Sequence, residues 1–315
     1  MSKGLHRFTV FVTGATLFLI VAGALVTSHD AGLAVPDWPL SFGKVMPEMV
    51  GNVFWEHGHR MVATSVGILV IILNLWLWRR EKRVWVRRLG LVALAGVCAQ
   101  GLLGGLTVYL WTPVAVSTAH ATLAQLFFCT MVSLSVFTAP GWSEPRAALA
   151  EKGSPPLRYL CLAAAAAILV QLILGGVLRH SAEWDEYLPA GLVMTHVTGA
   201  VVVALLLVSS IFITHRRHAG ETYLTRPAQI AGALLALQLC LGVAAYVTRL
   251  WSPSAPQPRN PMVGITVAHV ACGALVFAST IVLALRAFRV LRDEVAESVP
   301  DYVSLGAAPN WRTEN

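Results

Sequence analysis

The stretch LGLVALAGVCAQGLLGGLTVYLWTPVAVSTAHATLAQLFFCTMVSLSVFTAPGWS, residues 89–143, contains no Asp, Glu, Lys or Arg. A bilayer core is crossed by roughly 20 apolar helical residues, so this run is too long for one pass and long enough for two. Trp111-Thr112-Pro113 stands near its middle, and because the residue before a proline is pushed out of the helical region, the break is expected there. Working outward in both directions gives six more charge-free runs, 8–29, 61–78, 159–178, 187–215, 227–248 and 260–285. Seven runs therefore predict eight spans, near 8–28, 60–78, 89–109, 115–138, 159–178, 190–213, 228–248 and 262–285. The composition agrees: 56% of residues are hydrophobic and 12% charged, against about 25% charged in ordinary soluble domains. A soluble globular fold is excluded.

The formal net charge of +7 would suit nucleic acid, but the basic residues sit where membrane topology requires them. Eighteen of the 23 Lys and Arg lie at the N-terminus, in 79–88, 146–158 and 216–226, and in 286–312. The alternate loops hold the other five, Lys44, Arg60, Arg179, Arg249 and Arg259. Cytoplasmic loops carry the Lys/Arg excess, so both termini are expected in the cytoplasm of a multi-pass protein of a bacterial-type cell membrane, with no nucleic-acid partner. Lys3 and Arg7 ahead of the first run imitate a signal peptide. That run exceeds the usual h-region of about 7–15 residues, and it is expected to remain as the first helix. All five cysteines, Cys98, Cys129, Cys161, Cys240 and Cys272, fall inside spans, where thiols behave as small apolar side chains. They supply neither a disulfide framework nor a CxxC zinc site.

Internal echoes suggest a duplication. Gln100 precedes Gly104 by four, as Gln171 precedes Gly175 and Gln238 precedes Gly242, and one histidine follows each in the next span: His120, His196 and His269. The first hairpin has Gly23 without the Gln, and His59 after it. His29 after Gly23 and His180 after Gly176 pair the first span with the fifth. The expected fold is all-α: eight transmembrane helices as two tandem pseudo-symmetric four-helix bundles, 1–140 and 158–290, joined by a cytoplasmic linker at 141–157 and ending in a tail, 291–315. Glycine and glutamine also serve ordinary helix packing. A flat macrocycle between helices would need the same close approach.

His59, His120, His196 and His269 share one level near the outer ends of the even-numbered spans. Ionisable residues at membrane depth are functional candidates by default, and two histidines on facing helices are what bis-histidine haem ligation requires. The pairs expected from the duplication are His59 with His120 and His196 with His269, one haem per half. A metal-only site is disfavoured, since no Cys and only one carboxylate stands at that depth. That carboxylate, Glu56, precedes His59 by three and shares its helix face, whereas the corresponding position before His196 is Val193. Chemistry in the first half and electron transfer or support in the second would follow. Glu56 as an interfacial partner of Arg60 is the competing reading. Arg60, Arg179, Arg249 and Arg259 are candidate contacts for haem propionates.

The residues Gly23-Ala24-Leu25-Val26-Thr27, Pro36-Asp37-Trp38-Pro39-Leu40, Glu56-His57-Gly58-His59-Arg60, Thr118-Ala119-His120 and Thr195-His196 resemble the heme A synthase family, over nearly the whole chain. The resemblance implies two related four-helix bundles and an oxidoreductase that converts a methyl substituent of heme O to the formyl group of heme A for terminal oxidases. By motif, Glu56 corresponds to the essential acidic residue, His59 and His120 to ligands of the substrate haem, and His196 and His269 to the axial ligands of a heme b cofactor. Implied partners are heme O, a heme O synthase, and an electron acceptor or donor in the membrane; a homo-oligomer is compatible with it. Some members carry a cysteine pair flanking the DWPL segment; here Val35 and Ser41 stand in those places. The rival readings are a quinol-oxidising di-haem cytochrome b, which leaves Glu56 and the loop unexplained, and a haem transporter, which should show helices broken at the midplane.

Overall fold

A computed structural model of the chain describes residues 3–151, 153–181, 189–250 and 260–293. Eight long helices occur among them: α1 (Lys3–Ser28), α2 (Asn52–Arg80), α3 (Val84–Tyr109), α4 (Val114–Phe137), α5 (Leu157–Ser181), α6 (Ala190–Arg217), α7 (Thr222–Leu250) and α8 (Asn260–Val290). Each is long and apolar enough to cross a membrane. Helices satisfy every backbone hydrogen bond internally, which is what a bilayer demands of a spanning segment.

The helix ends follow local chemistry. α3 stops at Tyr109, and Trp111 and Thr112 take φ of 63° and 52° before Pro113, which enters α4 in an extended conformation. Pro189 opens α6 in the same way. α8 starts at Asn260-Pro261, a place where proline's missing N–H would have found no helical partner. Arg79 and Arg80 close α2, and basic side chains there suit the helix dipole as well as the loop charge pattern. The sharpest difference from the expected spans is at α2, which begins at Asn52 and so carries Glu56 and His59 inside its first turns.

Neighbour packing runs α1 to α2, α2 to α3, α3 to α4 and α4 to α1, and again α5 to α6, α6 to α7, α7 to α8 and α8 to α5. α1 with α8, α4 with α5 and α4 with α8 join the two rings. Leu5, Val12, Val66, Leu73, Leu77, Phe127 and Leu134 form one dense core. Ile168, Val203, Leu207, Leu235 and Phe277 form a second. Ile20, Phe128, Ala274 and Ala278 fill the joint. These cores occupy the end that carries Lys3 and Val290 and the middle of the helices. The histidines lie beyond them, toward the opposite end.

One element departs from an all-helical expectation. Within the linker, β1 (Leu149–Glu151) pairs in parallel with β2 (Leu291–Asp293). The pair is anchored by buried Leu291 and by Glu151, whose carboxylate accepts from Arg158 Nε at 2.7 Å.

Candidate active site

Each even-numbered helix delivers its histidine against a glycine of the helix before it. A Cβ on Gly23 would stand 3.1 Å from His59 Cε1, on Gly104 3.4 Å from His120 Cε1, on Gly175 3.0 Å from His196 Cε1 and on Gly242 3.1 Å from His269 Cε1. Four hairpins thus repeat one contact, a ring edge seated on bare backbone. The rings are part-buried, and Nδ1 of His59, His120 and His269 is buried without a hydrogen-bond partner. His59 has His120 as an electrostatic neighbour, and His269 has His196.

Glutamine fixes three of these histidine turns. Gln100 Nε2 donates to the His120 carbonyl at 2.9 Å and Gln171 Nε2 to the His196 carbonyl at 2.8 Å. Gln171 Nε2 also lies 3.0 Å from His196 Nδ1, and Gln238 Nε2 is 3.3 Å from His269 Nε2. In the second ring these amides rest on Gly199 and Gly273 of the histidine-bearing helices. The contact is therefore reciprocal: glycine under histidine, then glycine under glutamine. Position 19, four before Gly23, is a leucine, so the His59 turn has no such glutamine.

Beside His59 on the same helix stand Glu56 and Arg60, which are bonded to each other and to the loop before α2. Glu56 is 4% exposed; one carboxylate oxygen pairs with Arg60 Nη2 and the other accepts the Val35 N–H at 2.7 Å. Arg60 Nη1 donates to the carbonyls of Asp37 and Leu40 at 2.7 and 2.9 Å, and Nη2 to that of Val35 at 3.3 Å. The DWPL segment is thereby closed over the start of α2. The Trp38 ring lies on Gly105, where a Cβ would stand 2.7 Å from it, and Tyr109 Oη donates to the Trp38 carbonyl at 2.7 Å. The Asp37 carboxylate accepts from the Phe42 and Gly43 N–H groups at 2.6 and 2.8 Å; φ of 53° and 68° there turns both donors inward. The Gly43 amide above all holds the Asp37 carboxyl below its usual range.

Two further histidines near the same helix ends are buried and engaged. His57 is 6% exposed, with Nδ1 2.8 Å from Ser41 Oγ, and no periodic signal in the sequence marks that contact across a loop. His180 is 9% exposed and is an electrostatic neighbour of His120. Arg179 Nη2 donates to the Thr27 carbonyl at 2.6 Å, tying α5 to α1. Arg249 is placed at the end of α7. Arg259 lies outside the described residues.

A polytopic helical protein with histidines paired at one depth, each seated on glycine, and a single buried carboxylate beside one of them is built like a membrane haem protein. Comparison with known proteins narrows the class. The cytochrome oxidase assembly protein family, COX15-CtaA, matches residues 48–257, and the chain belongs to that family. It is similar to the heme A synthase of Shouchella clausii, 28% identical over 267 residues that cover 79% of this chain and 88% of that protein. The heme A synthase of Symbiobacterium thermophilum is 30% identical over 263 residues, covering 76% and 85%. That of Halalkalibacterium halodurans is 24% identical over 267 residues, covering 79% and 89%.

Proposed function

We propose that this membrane enzyme is a heme A synthase serving cytochrome oxidase assembly, and that it oxidises a methyl substituent of heme O to the formyl group of heme A. The observation that carries the reading is the asymmetry between two equivalent histidine pairs. His59 has Glu56 one turn away on its own helix, fixed by Arg60 and the Val35 amide, while His196 has Val193 there. The first half, 1–140, is the substrate half, and the second, 158–290, holds the resident cofactor.

Haem fits the second pair: two part-buried imidazoles, glycine beneath each and a buried unpartnered Nδ1 on His269 are what an iron porphyrin slotted between helices requires. His196 and His269 would hold it, and heme b bound there would supply a one-electron redox centre whose potential its ligands and burial set. Gln171 and Gln238 orient the two rings. His59 and His120 hold the substrate iron, which fixes the porphyrin edge relative to α2. Glu56 is the proton-handling group, its oxygens exchanging a proton with the reacting carbon's oxygen or with a positioned water. Arg60 keeps that carboxylate aimed, and the closed DWPL loop keeps bulk water from its other side. Arg179, Arg249 and Arg259 remain candidate propionate contacts, while Arg60 directs its terminal nitrogens to the loop and to Glu56.

The charge asymmetry of the loops supports cytoplasmic termini and an outward DWPL loop. Labelling an introduced cysteine at residue 37 from the outside only is the expected result; labelling from the cytoplasm only overturns the orientation. A heme O synthase as donor of substrate and a membrane redox partner complete the reading. The quinol-oxidising cytochrome uses four histidines but has no role for Glu56. Incubation of the purified protein with heme O, followed by pigment analysis, tests the function: heme A is the expected product, and unchanged heme O rejects the reading.

A further inference from the structure

At the end of the molecule that carries Lys3 and Val290, opposite the histidines, a groove of about 920 Å³ opens between the two helix rings. Its floor is Phe128, Leu234 and Leu275, and its open side is flanked by Val10 and Ile230, which are 48% and 56% exposed. In a spanning protein such side chains face acyl chains, so the groove is reachable sideways from the bilayer.

Its mouth is basic. Arg146 and Arg286 stack over the Tyr223 ring at 3.9 and 4.7 Å, with Arg289 at 5.8 Å. Arg289 is committed to the protein: it donates to Tyr223 Oη, Gly141 O and Glu144 O at 2.8–2.9 Å. Among the described residues Arg286 makes one hydrogen bond, from Nη1 to the Tyr223 carbonyl at 3.0 Å. Arg146 forms neither a hydrogen bond nor an ion pair among the described residues. Among the described residues Glu144 is the one carboxylate lining the groove, and it forms no ion pair with the three guanidiniums there. His6 lines the same groove, and its buried Nδ1 has no partner. Three like charges gathered on one ring, with donors to spare, need an anion. An apolar trough beneath them needs that anion to carry a hydrocarbon part.

We infer that this groove is a binding site for one anionic phospholipid of the adjacent leaflet, its phosphate held by Arg146 and Arg286 and its acyl chain lying on Phe128 and Leu275. Basic pockets between transmembrane helices take lipid headgroups on these grounds. A neutral lipid or a quinone would fill the trough and leave the guanidiniums uncompensated. The site lies at the far end of the bundle from Glu56 and is independent of the chemistry assigned there.

The test uses the full chain in phosphatidylcholine nanodiscs with and without phosphatidylglycerol, read by native mass spectrometry after release and by thermal midpoint. One retained phosphatidylglycerol and a higher midpoint are expected for the unaltered protein. Arg146→Gln with Arg286→Gln should weaken retention on the order of tenfold, two near-surface cations being removed. Equal retention of phosphatidylcholine or of a quinone overturns the proposal, as does the same midpoint rise with inorganic phosphate alone. If the double variant does not fold, the unaltered protein still decides: no preference for phosphatidylglycerol over phosphatidylcholine rejects the site.

Discussion

Helices α1–α4 and α5–α8 each present two histidines whose ring edges rest on glycine, yet different groups stand beside them. In α5–α8 both are steadied by amides, Gln171 and Gln238, and nothing ionised stands one turn before His196. In α1–α4 one amide remains, Gln100, and the other place is taken by a carboxylate, a guanidinium and a folded loop. Neutral donors preserve a ligand geometry and leave the site's protonation alone. A buried carboxylate adds a group that can gain or lose a proton. On the proposed function, the first arrangement suits a resident cofactor and the second a reaction.

The contrast breaks most directly at Glu56. A positioned acid or base contributes about 10²–10⁴-fold, so Glu56→Gln should lower heme A formation by that order while heme O or a partly oxidised alcohol accumulates. Arg60 keeps its three carbonyl acceptors, so folding and resident haem should survive. Normal heme A output from this variant would leave Glu56 as a structural partner of Arg60 alone.

A smaller effect sharpens the shared part of the design. Alanine at Gly175 sets a methyl 3.0 Å from His196 Cε1, whereas at Gly104 the gap to His120 is 3.4 Å. Overpacking of that kind costs about 1–3 kcal/mol. Gly175→Ala should shift the resident haem spectrum and lower thermal stability, and Gly104→Ala, beside His120 of the other pair, should lower stability less and leave that spectrum in place. The same spectral shift from both would mean that glycine does not set the distance between ring and helix.

The smallest effect is in the DWPL loop. Because the Gly43 and Phe42 amides depress the Asp37 carboxyl, its contribution to loop closure is complete above the ordinary carboxylate value and disappears as pH falls through the lowered one. Hydrogen exchange at the Phe42 and Gly43 amides should accelerate in acid, and Asp37→Asn should give the fast rate at neutral pH. Exchange that ignores both changes removes Asp37 from the closure.

Helices were legible because spanning a bilayer leaves few options: the charge-free runs and Trp111-Thr112-Pro113 locate every span and the break within 89–143. The histidine level and its glycines were legible because repetition marks them four times over. The Glu56–Arg60 pair was visible at i, i+4 spacing, but its grip on Val35, Asp37 and Leu40 was not, since loop contacts have no period. For the same reason nothing in the sequence tied His57 to Ser41, Trp38 to Gly105, or three arginines to Tyr223. The β1–β2 pair joins residues far apart in the chain through three-residue strands too short to show alternation.

Which half keeps the resident haem is the claim on which the rest depends, and the reduced haem spectrum of His269→Ala beside that of His59→Ala measures it. Loss or shift of the low-spin bis-imidazole signal in His269→Ala, with the signal largely intact in His59→Ala, is the predicted result. The opposite pattern, resident haem lost with His59 and kept without His269, would contradict the assignment and exchange the roles of the two halves.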